Sequence, residues 1–226
     1  MKFFSLNQLP LYTDDLFFRF FNNIKIRDAI VIHNPPDAMI VTPVLPYSRK
    51  SLEEHIDYIQ QNNVKKAIIA AEDINFIKQC KSLEYLMIFP AITAEDFDYS
   101  PLYDLPNIQW LQCNTMYGLR AMYDVDEPVK VSTLDYSHFP NLKVLIVGGN
   151  KGHHNVSSAN SVETLAFCEF PKANNLRNII PGKNLVSFSI SEASIRTLDG
   201  IEAASKLQRL ELSYNRRLTD ISSLYH

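Results

Sequence analysis

Few side chains in this 226-residue chain stand at spacings that chemistry requires. His153 and His154 are adjacent, just after the turn-prone stretch Gly148-Gly149-Asn150-Lys151-Gly152. Two imidazoles could join a metal site, but no carboxylate or cysteine follows at ligand spacing, so they read as a solvated loop. The glycines do not form a phosphate loop, because neither G-K-[ST] nor G-x-G-x-x-G is present. Asp124, Asp126 and Glu127 read as an acidic turn in water rather than an acid/base pair. Cys168 has no flanking cation or nearby histidine to stabilise a thiolate. With Cys80 and Cys113 it leaves an odd thiol and no C-x-x-C pair, which argues against a disulfide framework or zinc site and for a reducing compartment. These residues imply no catalytic centre, no metal and no cofactor.

Composition narrows the classes further. Hydrophobic residues make up 46% and charged residues 21%, an ordinary globular balance. A formal net charge of -3 supplies no electrostatic footprint for nucleic acid or an anionic membrane. The opening Met1-Lys2-Phe3-Phe4 is interrupted by Ser5, Asn7, Gln8 and Pro10, and Asp14 and Asp15 follow, so it lacks the apolar core of a secretion signal. No apolar run approaches the ~18 residues that span a bilayer. A cytoplasmic protein is expected.

The elements that would position any site follow in order. Residues 1–24, with Phe17, Phe18, Phe20 and Phe21, predict a helix capped by Thr13 or Asp14. The β-branched runs 27–33 and 38–44 flank Asn34-Pro35-Pro36-Asp37 and predict a hairpin. Ser51-Leu52-Glu53-Glu54 is a capping box, and its helix should run to about Gln61. That helix buries Leu52, Ile56 and Ile59 on one face, and Asn62-Asn63 end it.

From Val64 one pattern recurs. Val64-x-x-Ala67-x-Ile69 is followed by Leu83-x-x-Leu86-x-Ile88, Ile108-x-x-Leu111-x-Cys113 and Leu142-x-x-Leu145-x-Val147. Val162-x-x-Leu165-x-Phe167, Leu185-x-x-Phe188-x-Ile190 and Leu207-x-x-Leu210-x-Leu212 complete it. The steps are 19, 25, 34, 20, 23 and 22 residues, a period at which one unit cannot bury its own apolar face and must stack on its neighbours. Ile195, Leu198, Ile201, Ala204, Leu207 and Leu210 recur every third residue, as a return wall of 3₁₀-like turns requires.

The clearest repeat, Leu207-x-x-Leu210-x-Leu212-x-x-Asn215-x-x-Leu218 with Ile221 and Leu224 beyond, resembles the leucine-rich repeat family, in particular its bacterial, internalin-like 22-residue subclass. The resemblance covers roughly residues 64–226. It implies an α/β solenoid of about seven short parallel strands with an irregular or 3₁₀ convex side. Asn150 and Asn215 would occupy the family's asparagine bend, where Glu72, Ala91, Met116, Phe170 and Ala193 stand in other repeats. Residues 1–63 would form an N-terminal helix/hairpin cap on one continuous domain, 64–226, with an insertion at about 115–140. The family implies macromolecular recognition on the concave sheet, an inference by analogy of fold.

Alternation sends the third, fifth and seventh residues of each repeat to the concave face. Tyr85, Met87, Trp110, Gln112, Val144 and Ile146 then form an apolar, aromatic block of the residue types that interfaces favour. These six are the candidate surface for an unidentified protein partner; the competing reading has the 115–140 insertion fold over them. The function expected is a non-enzymatic interaction module of bacterial regulatory, immunity or effector type. The alternative is a hydrolase or transferase whose site lies in residues 1–63 or in the insertion. The last coil, ending at Leu224-Tyr225-His226, leaves apolar residues without a capping repeat, so the expectation is either that the natural chain continues or that a second copy closes that end, with a homodimer favoured.

Overall fold

The computed structural model describes residues 11–12, 20–22, 27–34, 50–91, 94, 96–114, 130–148, 155–168 and 173–225. Its strands are β1 (Leu11–Tyr12), β2 (Phe20–Asn22), β3 (Ala29–Asn34), β4 (Lys66–Ala71), β5 (Tyr85–Pro90) and β6 (Asp96–Phe97). Then come β7 (Trp110–Asn114), β8 (Lys130–Val131), β9 (Val144–Gly148), β10 (Thr164–Cys168), β11 (Ser187–Ser191) and β12 (Arg209–Ser213). Ten of them make one sheet in the order β1-β2-β3-β4-β5-β7-β9-β10-β11-β12, and the eight from β3 onward run parallel. β6 and β8 pair separately.

Register follows the leucine pattern. Ala67, Leu86, Leu111, Leu145, Leu165, Phe188 and Leu210 stand opposite one another across the sheet, and Ile69, Ile88, Cys113, Val147, Phe167, Ile190 and Leu212 form the next row. Both rows point into one continuous core between sheet and return wall, and both are fully or nearly buried until β12, where Leu210 and Leu212 are half-buried. Each leucine buried completely is worth about 1.5–3 kcal/mol, so coil after coil the same apolar wedge holds the stack.

The return wall explains the three-residue spacing. Backbone bonds run i→i−3: Ile201 donates to Leu198 at 3.0 Å, Ala204 to Ile201 at 3.0 Å and Leu207 to Ala204 at 2.9 Å. Every third side chain therefore eclipses and faces inward. The same ladder recurs at Ile74-Ile77-Cys80-Leu83, at Tyr99-Leu102-Leu105, at Tyr136-Phe139-Leu142 and at Val156-Ala159-Val162, all of them buried. The period-three wall thus extends well beyond the last two coils, where the sequence shows it most plainly.

The helix α1 (Leu52–Asn62) has the expected ends. Ser51 accepts from the Glu54 amide at 3.2 Å, the Glu54 carboxylate accepts from the Ser51 amide at 2.8 Å, and Asn63 closes the helix in the left-handed conformation. Ile56 and Ile59 are buried with His55, and Leu52 is half-buried.

Two expectations for the N-terminal region need correction. Residues 1–24 are not one helix, since Leu11–Tyr12 and Phe20–Asn22 are strands that pair antiparallel with each other. The phenylalanines Phe20 and Phe21 pair with Ile30 and Ala29, so sheet context overrides the helical pattern. Thr13, Asp14, Phe17 and Phe18 lie outside the described residues. The run 27–33 contributes most of the strand β3, Ala29–Asn34, but β3 joins β4 in parallel, Ile30 opposite Ala67, with α1 in the crossover between them. The other half of the expected hairpin, 38–44, lies outside the described residues. The parallel sheet accordingly continues across residue 63.

Candidate functional site

The six candidate residues come together as two rows of three. Tyr85, Trp110 and Val144 stand opposite one another on β5, β7 and β9, and Met87, Gln112 and Ile146 form the adjacent row. Parallel neighbours lie ~4.8 Å apart, so the block is contiguous. Tyr85 is held from two sides: its hydroxyl donates to Gln109 Oε1 at 3.2 Å, and Lys66 Nζ lies 5.7 Å from its ring centroid. Gln109 is fixed in turn by its Nε2 donating to Glu84 at 2.9 Å, and Glu84 pairs with Lys65 at 2.9 Å. Such an anchored aromatic loses little entropy when something docks on it.

Exposure changes along the rows. On the concave side Val31 and Ile68 are 0% exposed and Met87 is 9% exposed, whereas Gln112, Ile146, Ala166 and Ser189 are half-buried and Glu211 is exposed. Ala29, Val31, Ile68, Met87 and Phe89 form a second hydrophobic cluster on this face, with Tyr85 and Trp110 packed against it. The face is therefore closed at its β3–β4 end and open from Trp110 onward. Of the six candidates, Met87 belongs to the closed part, and Tyr85, Trp110, Gln112, Val144 and Ile146 are half-exposed.

A sequence signal for this closure exists. The inner-and-outer apolar run Ala67-Ile68-Ile69-Ala70-Ala71 does not alternate, as befits a parallel strand buried on both faces, whereas Ser187-Phe188-Ser189-Ile190-Ser191 alternates strictly. The insertion divides similarly. Residues 115–129 lie outside the described residues, but Leu134, Tyr136 and Phe139 are buried in the main core on the return wall. That later part does not lie over the concave block.

The chemistry-bearing residues are dispersed. Asp124, Asp126, Glu127, His153 and His154 lie outside the described residues, and only the backbone of Cys168 is described, in β10. Among the described residues no group of three or more histidine, cysteine, aspartate or glutamate side chains could hold a metal. Cys80 and Cys113 are free and buried. Burial pushes the Cys80 thiol up to about 11 and raises Cys113 further. No described helix is long and apolar enough to cross a membrane. At the bend after β12, Asn215 ties its coil to the preceding one: its Oδ1 accepts from the Ala193 amide and its Nδ2 donates to the Ile190 carbonyl, both at 2.9 Å.

Short parallel strands, a 3₁₀ return wall and an asparagine at the bend make up the architecture of leucine-rich repeat proteins. No family model and no curated protein matches the chain. Among solved structures it is similar to the functional domain of InlJ from Listeria monocytogenes, at 10% identity and a TM-score of 0.42, over 68% of this chain and 35% of that one. It is similar also to TLR13 in a complex with ssRNA13, at 13% identity and a TM-score of 0.46, over 76% of this chain and 30% of that one. The chain spans about a third of the length of each.

Proposed function

We propose that this solenoid is a non-enzymatic binding module that takes a protein partner on the open part of its concave sheet. One observation carries the reading: Tyr85, Trp110, Gln112, Val144 and Ile146 form a half-exposed, largely apolar and aromatic block on a parallel sheet. Such blocks mark interaction sites, and tryptophan and tyrosine are favoured anchors. Met87 supports the block from below rather than offering surface. Beyond it Thr164, Ala166, Ser187 and Ser189 keep the floor shallow, so a partner could approach the backbone closely.

The buried reduced thiols of Cys80 and Cys113 suit a reducing, cytoplasmic setting. Among the described residues the most exposed large apolar side chains lie around β12, with Tyr214 62%, Ile221 44%, Leu224 44% and Tyr225 80% exposed. That concentration supports a second contact, end-to-end association of two copies.

The test uses the single tryptophan. Wild type and Trp110→Ala serve as parallel baits in extracts of the source organism, and a protein retained by wild type alone is then purified. Adding it to the free chain should move tryptophan emission to the blue and protect β7 and β9 from hydrogen exchange. Retention of the same proteins by both baits, or protection confined to the return wall, would move the interface elsewhere.

A further inference from the structure

Away from the concave face, the bends that follow β11 and β12 enclose a depression of about 610 Å³ lined by Glu192, Ala193, Ser194, Tyr214, Arg216 and Arg217. It arises from a repeated backbone device. Ser191 and Ser213 stand opposite each other in the sheet, and the residue after each, Glu192 at φ 56° and Tyr214 at φ 55°, adopts the left-handed conformation. Neither residue is a glycine, and a bulky side chain at positive φ is uncommon enough to call for an explanation. Here both residues line the same depression, and Tyr214 is 62% exposed.

The charge in the depression is unbalanced. Arg216 and Arg217 are exposed, and neither makes an ion pair among the described residues, whereas Arg177 and Arg209 each have a carboxylate partner. Two guanidiniums with no ion pair among the described residues, beside the exposed Tyr214 and near Ser194, provide forked donors and a stacking face. The one acid in the lining, Glu192, makes no ion pair among the described residues either, and its charge opposes any anion seated there. A polyphosphate backbone, charged at every unit, would be repelled by that carboxylate more than a segment whose isolated carboxylates seat on the guanidiniums.

We propose that this depression is a docking site for an acidic peptide segment of a protein, with Arg216 and Arg217 holding its carboxylates and Tyr214 packing on its backbone. The site lies at the strand ends, so it goes beyond the concave-face reading and does not depend on it.

The experiment is fluorescence anisotropy on the full 226-residue chain, with a short labelled peptide carrying several glutamates and its glutamine counterpart. The glutamate peptide should bind and the glutamine peptide should not. Arg216→Ala/Arg217→Ala should weaken binding about tenfold or more, the scale of losing charge-assisted contacts. Removing two exposed cations elsewhere, in Lys78→Ala/Lys183→Ala, should change it by less than about twofold. Glu192→Gln should tighten it, a gain that no loss of folding could imitate. Trp110→Ala should leave it unchanged, which separates this site from the concave one. Equal losses in the two double variants, no binding by wild type, or a labelled single-stranded oligonucleotide of equal charge binding more tightly through the same arginines would each overturn the proposal.

Discussion

Leu145 and Leu165 are 0% exposed in the middle of the stack, with filled coils on either side. Truncating either to alanine should cost about 2–5 kcal/mol, because the cavity cannot collapse between fixed neighbours. Leu210 occupies the same row but is half-buried, and Trp110 is half-buried on the opposite face, so their truncation should cost distinctly less. Urea midpoints for the four variants check the order. Equal losses would mean a register error, which exchanges the two faces of a strand. His55 offers a second test. It is 1% exposed, with Nδ1 placed 2.7 Å from the Ser51 carbonyl, and desolvation holds its pKa below the ordinary 6.5 although Ser51 and Glu54 oppose that shift. The unfolded chain therefore takes up a proton at a pH where the folded one resists it. The stability linked to His55 is present above 6.5 and is lost as pH falls through the lower folded value. Between about pH 7.5 and about pH 5.5 wild type should lose more stability than His55→Asn, whose amide can keep the bond to Ser51. Parallel pH profiles would refute the assignment.

At the scale of the element, each coil is a strand, a bend and a 3₁₀ return, and the spacing between coils is set where backbones approach most closely. Gly200 is such a point. Its φ is +104°, and a Cβ there would lie 2.5 Å from the Arg177 amide nitrogen and 2.6 Å from its Cα. Leu176 meanwhile donates to the Asp199 carbonyl at 2.8 Å, locking the two coils at that distance. Gly200→Ala should destabilise by about 1–3 kcal/mol, through both the left-handed strain and the forced separation of coils. Thermal melts measure the loss, and an unchanged melt would show that the coils can part freely. The capping box of α1 and its Asn63 stop are legible from the local sequence because their partners lie within one turn. The placement of β3 is not legible in that way, because its neighbour β4 lies across the whole of α1.

At the scale of the whole molecule, burial falls along the stack. The β3–β4 coils carry a second buried cluster on the concave side, whereas around β12 Leu207, Leu210, Leu212 and Leu218 are only half-buried. If two copies associate there, dilute protein should scatter light as a dimer, and Leu218→Asp should return it to monomer by placing a charge in the contact. A monodisperse monomer at all concentrations, indifferent to Leu218→Asp, would exclude the association. Burial of Cys80 and Cys113 within the stack also means that thiol reagents should reach them only as coils open.

The leucine spacing was sufficient to place the seven main-sheet strands β4, β5, β7, β9, β10, β11 and β12, because parallel stacking at a near-regular period leaves one register that buries every repeat. It also placed Tyr85, Met87, Trp110, Gln112, Val144 and Ile146 on one face in two rows, since alternation along a strand is a local property. Which of those six meets solvent was decided by tertiary structure. Met87 and Trp110 have the same alternation, yet one lies in the closed cluster and the other at its rim. The depression at Arg216 and Arg217 was equally out of reach, because it needs two bends, 22 residues apart in the chain, to stack with the same left-handed turn. Exposure and enclosure belong to the assembled coils, and a pattern read along one coil carries no term for what the next coil covers.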